Sequence, residues 1–234
     1  NHLTQHHATR QLIRGMAHEI KNPLGGLRGA AQLLDKELDT EELKEYTQII
    51  IEEADRLQSL VDKLLGPRNV PTMEMTNIHE VLEHVRQLIM VEAGDRVGVS
   101  TSYDPSLPNI YADRDLLVQV FLNIARNALL ALDGTEDAGI NFKTRIKRQF
   151  TIGATKHKLV LVVTISDNGP GIPEELKETL FFPMVTGHAA GTGLGLSIAQ
   201  SLVGQHEGTI EFESQPGRTA FKVYLPVTEQ RNES

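Results

Sequence analysis

From Ile13 the apolar residues fall at Ile13, Met16, Ile20, Leu24, Leu27, Ala31, Leu34 and Leu38. Gaps of three and four are the helix period, so the spacing predicts one long amphipathic helix. After a turn signal at Asp39 and Thr40, Leu43, Ile50, Leu57 and Leu64 stand seven apart, supported by Tyr46, Ala54, Leu60 and Val61. Seven-residue spacing suits helices packed side by side. Two helices joined by a short turn make a hairpin, and a lone hairpin cannot cover a wide apolar stripe. Two copies closing into a dimeric four-helix bundle can, so the pattern predicts a homodimer through residues 10 to 65.

Gly66-Pro67 stops the second helix, and "PRNVPTMEMT" reads as an extended linker. The expected domains are therefore 1–66, a linker at 67–76, and 77–234. The second domain opens with a helix from Ile78 to about Val91, a strand in "VGVSTSY" and a helix that Asp113 can cap and that runs to about Leu132. Ile140, Phe142, Thr144, Ile146 and Phe150 then alternate with Asn141, Lys143, Arg145, Lys147 and Gln149, the period of a half-buried strand. "KLVLVVTIS" predicts a more buried strand, and "GTIEFES" and "TAFKVYLP" flank "QPGR" as a hairpin. The fold class is α+β: a helical hairpin, then a mixed or antiparallel sheet with helices on one face.

A chain of 234 residues with 40% apolar composition suits two domains. Its 23 Lys+Arg against 31 Asp+Glu give a formal charge of −8, which offers no general attraction to nucleic acid or to an anionic membrane. Zero cysteines exclude disulfides, thiol catalysis and cysteine-bound zinc. Apolar runs such as "LVLVV" fall short of the roughly 18 residues of a membrane span, and no signal segment opens the chain. A cytoplasmic protein without membrane insertion is expected. The first residue is Asn1, not methionine, as in a piece of a longer protein.

Within the first helix, "GMAHEIKNPLGG" carries the candidate chemistry. At about 100° per residue His18 lies roughly 160° from the centre of the apolar stripe, facing water, with Asn22 one turn further on. Gly15, Gly25, Gly26 and Gly29 share that side. Each interior glycine costs about 1 kcal/mol relative to alanine, and Pro23 removes a backbone hydrogen bond. A helix selected only for stability would avoid them; small residues let a macromolecule or a bulky phosphate come close. "HEIKN" stops short of the zinc pattern H-E-x-x-H, because Asn22 is a poor zinc ligand. The remaining role is nucleophilic: a neutral imidazole attacks a phosphoryl group while Glu19 accepts a hydrogen bond from its other nitrogen.

The second domain offers a phosphoryl donor site in three pieces. Gln119, Asn123 and Asn127 form an amide stripe whose carbonyl oxygens could ligate Mg²⁺ already held by phosphates, or could be an ordinary polar helix face. Asp167 ends the buried strand before Gly169 and Gly171, where a carboxylate could accept from an exocyclic amine such as that of adenine. "GTGLGLSIAQSL" runs a glycine loop, Gly191, Thr192, Gly193, Leu194 and Gly195, into an apolar helix whose N–H groups could hold phosphates. It fits neither the dinucleotide fingerprint nor the P-loop. "ELKETLFFPMVTGHAAG" suits a lid, from which His188 could reach a phosphate. His2, His6 and His7 fit a disordered end, and His79, His84, His157 and His206 ordinary surface or packing roles.

In this order, "HEIKNPL", "NIARNA", "DNGPGIP", "FFPMVTG", "GTGLGLSIA" and "GRTAFKVYLP" resemble the boxes of two-component sensor histidine kinases, from about Leu12 to Pro226. "HEIKNPLGGLRGAAQLL" and "FFPMVTG" are most similar to the nitrogen-regulation branch, in its catalytic portion without the PAS domain. The resemblance implies a dimerisation and histidine-phosphotransfer hairpin followed by an α/β sandwich ATP-binding domain of the gyrase, Hsp90 and MutL type. It implies that His18 takes phosphate from ATP with Glu19 as base or orienter, that Asn127 and Asn123 bind Mg²⁺, and that Asp167 selects adenine. Gly169, Gly171, Gly191, Thr192, Gly193, Leu194 and Gly195 would shape the pocket and lid. The phosphoryl group would pass to an aspartate of a response regulator receiver domain, NtrC-like in this branch, with the PII signal protein as a further partner. Asn22 would orient the water that dephosphorylates the regulator. Two positions depart from the family pattern: Leu130, where a basic residue is usual, and "FFPM" in place of Phe-x-Pro-Phe. The alternatives are an ATP-binding docking switch without transfer, a histidine kinase of another pathway, or an ATPase of the gyrase or Hsp90 kind.

Overall fold

A computed structural model describes residues 2–65, 71–182, 185 and 193–227, with the backbone path alone for 2–19, 42, 59–60 and 62–65. The chain divides into two compact units, 1–69 and 70–234.

The first unit is a hairpin of α1 (His2–Glu37) and α2 (Glu41–Leu65). α1 begins well before Ile13 and takes in His2, His6 and His7, which the sequence suggested as a disordered end. No Gly or Pro precedes Gly15, so nothing in that stretch interrupts helix propagation. The apolar positions split into two seams. Leu24 and Ala31 on α1, seven apart, are buried, as are Thr47, Ala54 and Val61 on α2, again at steps of seven. Thr47 hydrogen-bonds Asp35, and Arg28 Nε lies 2.6 Å from Asp55 Oδ1, tying the helices together. The second seam faces away: Ile20, Leu27 and Leu34 on α1 and Leu43, Ile50 and Leu57 on α2 remain 42–58% exposed. The seven-residue repeat read from the sequence at Leu43, Ile50 and Leu57 is therefore this outer seam, and the inner one lies four residues further on.

The second unit holds a two-stranded ribbon and a five-stranded sheet. β1 (Glu74–Thr76) pairs antiparallel with β3 (Ile110–Ala112), so the end of the stretch expected to be linker is strand. Three residues show no legible period; Thr76 is held from outside the segment, its hydroxyl donating to Ala112 O at 3.1 Å. α3 (Ile78–Ala93) starts at Asn77, whose side chain accepts from His79 N–H, and a 3₁₀ turn at 94–96 leads into β2 (Gly98–Ser102).

α4 (Arg114–Ala131) is capped by Asp113, as its sequence suggested. β4 (Gly139–Ile152), β5 (Thr155–Asp167), α5 (Glu174–Lys177), α6 (Gly195–Gln205), β6 (Thr209–Gln215) and β7 (Arg218–Pro226) follow. The sheet order is β2-β4-β5-β7-β6; β2 and β4 run parallel and the other pairs antiparallel, so the sheet is mixed. α4 packs on β4, β5, α3 and α6, and α6 on β6. Ile140, Phe142, Leu161, Val163 and Ile165 are buried in this core. His206 is a packing residue: Nε2 accepts from Asp113 N–H at 3.1 Å, so Nδ1 carries the proton that reaches Leu202 O at 2.8 Å. This bond joins the end of α6 to the start of α4.

Phe150 leaves the alternation that its sequence suggested. Gln149 has a φ of +52°, which reverses the strand's facing. Phe150 consequently stacks on Tyr224 with ring centroids 4.7 Å apart, and Ile152 joins Val160, Val162 and Tyr224 in a small cluster. Lys147 Nζ covers the Phe150 ring at 4.8 Å.

Candidate nucleotide pocket and phospho-acceptor helix

Asp167 is the last residue of β5, and its Cα pairs with Ile140 on one side and Thr219 on the other. The apolar run before it makes β5 a central strand, so its final carboxylate is carried to the sheet end yet stays only 6% exposed. Oδ1 accepts from Gly169 N–H at 2.9 Å, and no hydrogen bond to Oδ2 occurs among the described residues. Burial pushes the Asp167 carboxyl above its ordinary pKa, and the Gly169 N–H opposes the shift.

The turn after Asp167 needs its glycines. A Cβ on Gly169 would lie 2.9 Å from Asp167 Oδ1 and 3.2 Å from Ala131 O. Gly171 has φ +89°, and a Cβ there would come within 2.9 Å of the Gln215 backbone carbon. Gly171→Ala is expected to cost about 1–3 kcal/mol of stability in the second unit and to weaken nucleotide binding. Thermal melting and nucleotide titration of the variant would check this, and an unchanged melting midpoint would refute it.

The turn rests on the β6–β7 hairpin. Gly217 N–H donates to Gly169 O at 2.9 Å, and Ile172 N–H donates to Ser214 Oγ at 2.8 Å. On its other flank Asn168 accepts from Gly139 N–H at 2.7 Å and donates to Asp137 O at 2.9 Å. The sequence reading singled out none of Thr219, Ser214 and Asn168. The available signal was a pair of hydroxyls, in "GTIEFES" and "GRTAF", around the "QPGR" turn.

Gln119, Asn123 and Asn127 lie half-buried along α4. Asn123 Nδ2 is buried with no hydrogen-bond partner among the described residues. An orphaned buried donor costs about 1–3 kcal/mol, so this amide is a candidate to meet an acceptor supplied by a ligand. Gly195, the first residue of α6, sits against it: a Cβ there would meet Asn123 Cβ at 3.7 Å. Leu194 is buried and Gly193 has φ +66°, so the described end of the glycine loop and the amide stripe meet at one place. Gly191, Thr192, His188 and Met184 lie outside the described residues. Phe181 packs edge-on against Phe212 and Phe221, whereas Phe182 and Leu130 are exposed.

In the other unit, His18 and Glu19 belong to α1, and their side chains lie outside the described residues. Asn22 is exposed. A Cβ on Gly25, Gly26 or Gly29 would meet nothing within 4 Å, so the hairpin itself does not require glycine there.

Residues 112–229 match the family described as Histidine kinase-, DNA gyrase B-, and HSP90-like ATPase, and residues 8–66 match the His Kinase A (phospho-acceptor) domain. The chain belongs to the histidine kinase-, gyrase B- and HSP90-like ATPase family. More particularly, it is similar to the sensory histidine kinase/phosphatase NtrB of Klebsiella oxytoca, 56% identical over 94% of this chain and 63% of that protein. NtrB of Vibrio alginolyticus is 52% identical over 97% of this chain and 65% of the relative, so the chain spans under two thirds of these relatives. Among solved structures, full-length ShkA in complex with AMPPNP matches 92% of this chain and 45% of its own, with a TM-score of 0.62 and 25% identity. Histidine kinase ThkA in complex with response regulator protein TrrA matches 95% of this chain and 63% of its own, at 0.59 and 27%.

Proposed function

We propose that this chain is the catalytic portion of an ATP-dependent protein-histidine kinase of the NtrB type, autophosphorylated on His18. The observation that carries the reading is the joining, in one chain, of a segment matching the phospho-acceptor domain with an ATPase-family unit that bears a buried carboxylate, Asp167, and a buried amide donor, Asn123 Nδ2, without a partner among the described residues. Asp167 Oδ2 accepts from the adenine amine, and Asn123 Nδ2 donates to a phosphate oxygen. Gly191, Thr192, Gly193, Leu194 and Gly195 would contribute backbone N–H groups to the phosphates, as the family resemblance implies. Asn127 supplies a neutral carbonyl ligand for Mg²⁺, with Asn123 beside it. No cluster of acidic residues or histidines among the described residues would hold a cation alone, so it enters with the phosphates. Mg²⁺ held there would offset charge developing on the phosphate oxygens.

One imidazole nitrogen of His18 attacks the γ-phosphorus; the N–P bond forms as the P–O bond to ADP breaks. Glu19 holds the proton on the other nitrogen. In the second step an aspartate carboxylate of a response regulator attacks the same phosphorus, and the N–P bond breaks to return the imidazole. Asn22, exposed one turn from His18, orients the water that hydrolyses the acyl phosphate, giving the phosphatase activity. The ThkA complex with its regulator supports a response-regulator partner, and the similarity to NtrB supports an NtrC-like one; the PII signal protein and a nitrogen-regulation role follow from the family resemblance of the sequence motifs. The outward seam on α1 and α2 supports a homodimer. No helix among the described residues is long and apolar enough to cross a membrane, which is compatible with the cytoplasmic location we propose.

Incubation with Mg²⁺ and γ-labelled ATP tests the reading. The native chain is expected to take up acid-labile, alkali-stable label and His18→Gln none. Label that persists in the variant would reject His18 as the acceptor, and ATP binding without label would favour a switch that transfers nothing.

A further inference from the structure

The adenine pocket contains a hydroxyl chain that ends beside Asp167. Thr219 lies directly across the β5–β7 ladder from Asp167, and residues opposite one another point to the same face. Both are buried. Thr219 Oγ1 is 2.9 Å from Ser214 Oγ, and Ser214 Oγ accepts from Ile172 N–H at 2.8 Å. A hydroxyl has one proton and two acceptor sites. With one Ser214 lone pair engaged by Ile172, the Ser214 proton can go to Thr219 Oγ1, which leaves the Thr219 proton for the pocket.

We propose that Ser214 is a positioning residue for nucleobase selection, setting the Thr219 hydroxyl as a hydrogen-bond donor toward the base. This role rests on the reading of the Asp167 pocket as an adenine site. The edge of adenine presents an amine donor and, next to it, a ring-nitrogen acceptor. Asp167 as acceptor beside Thr219 as donor matches that pair, directly or through one water. The guanine edge has the opposite order, a carbonyl acceptor and an N–H donor, and would meet two mismatches. If the Thr219 hydroxyl were released to rotate, it could accept as readily as donate, and half of the discrimination would be lost.

Ser214→Ala in the 234-residue chain is expected to weaken ATP binding about tenfold, the worth of one buried hydrogen bond. The deciding probe is 1-deazaadenosine triphosphate, in which a C–H replaces the ring nitrogen: native chain and Ser214→Ala should bind it equally. Ser214→Thr, which keeps the hydroxyl, should restore ATP affinity. Thr219→Val should weaken ATP as much as Ser214→Ala, and the double variant no more than Thr219→Val, because Ser214 acts through Thr219. Equal losses for ATP and the deaza analogue, or additive losses in the double variant, would overturn the role and reduce Ser214 to a brace for the Ile172 turn. Undiminished ATP binding by Asp167→Asn would instead overturn the adenine pocket itself, and this role with it.

Discussion

Asp167→Asn is expected to weaken ATP binding by about 10²–10³-fold while raising the thermal midpoint of the ligand-free protein. Oδ1 of Asp167 is committed to the Gly169 N–H, so an asparagine must turn its oxygen that way and present its NH₂ group to the base. Donor then faces donor: the bond to the base is lost and a buried donor is left unpaired, together worth about 3–4 kcal/mol. The stability change has the opposite sign. Burial raises the carboxyl's pKa, so its contribution to folding is fully present below the ordinary aspartate value and is lost as pH rises through the folded value. Above that range the burial of Asp167 therefore lowers stability, and asparagine, which does not ionise, removes that loss. The difference in midpoint between the two proteins should shrink as pH is lowered. Isothermal titration with ATP and melting curves over a pH series would check both parts; a variant that binds ATP weakly and also melts lower at neutral pH would count against this account.

Ile50→Glu is expected to convert the proposed homodimer into monomers, raising the dimer dissociation constant by at least about 10³-fold. Ile50 stands in the outward seam with Leu43 and Leu57, beside Ile20, Leu27 and Leu34. Burying an isoleucine contributes about 2 kcal/mol, the substitution occurs once in each copy, and a carboxylate among apolar side chains adds a desolvation cost. Gln48→Glu, at an exposed position outside either seam, should leave the dimer intact. Sedimentation velocity of the two variants separates the cases. Ile50→Glu that still sediments as a dimer would send the partner surface elsewhere.

The two seams show how far a periodic pattern carries. Spacing of three, four and seven identifies helices and the need for cover, because those intervals follow from 3.6 residues per turn. It does not say which cover each seam receives. Thr47, Ala54 and Val61 face α1, whereas the larger Leu43, Ile50 and Leu57 face outward. The smaller side chains line the inner seam, where two helices joined by a three-residue turn are drawn close, and a polar Thr47 is accepted there because Asp35 meets its hydroxyl. Similarly, alternation predicted β4 well as far as Ile146, and failed at Phe150 because one left-handed residue, Gln149, reversed the facing. A single φ leaves no trace in a hydrophobic pattern.

For the candidate site, the sequence by itself determined the residues whose chemistry is local. The places of Asp167 at a strand end before its two glycines and of the amides along α4 were legible because strand end, turn and helix face are each set within about ten consecutive positions. The histidine helix was legible for the same reason. Only the tertiary structure decided what meets them. Thr219 reaches Asp167 through strand pairing over 52 positions, Ser214 braces the Ile172 turn from 42 positions away, and Gly195 at the start of α6 sits against Asn123, whose buried amide has no partner among the described residues. Contacts of that range depend on sheet register and helix packing, which are properties of the whole core and not of any one segment.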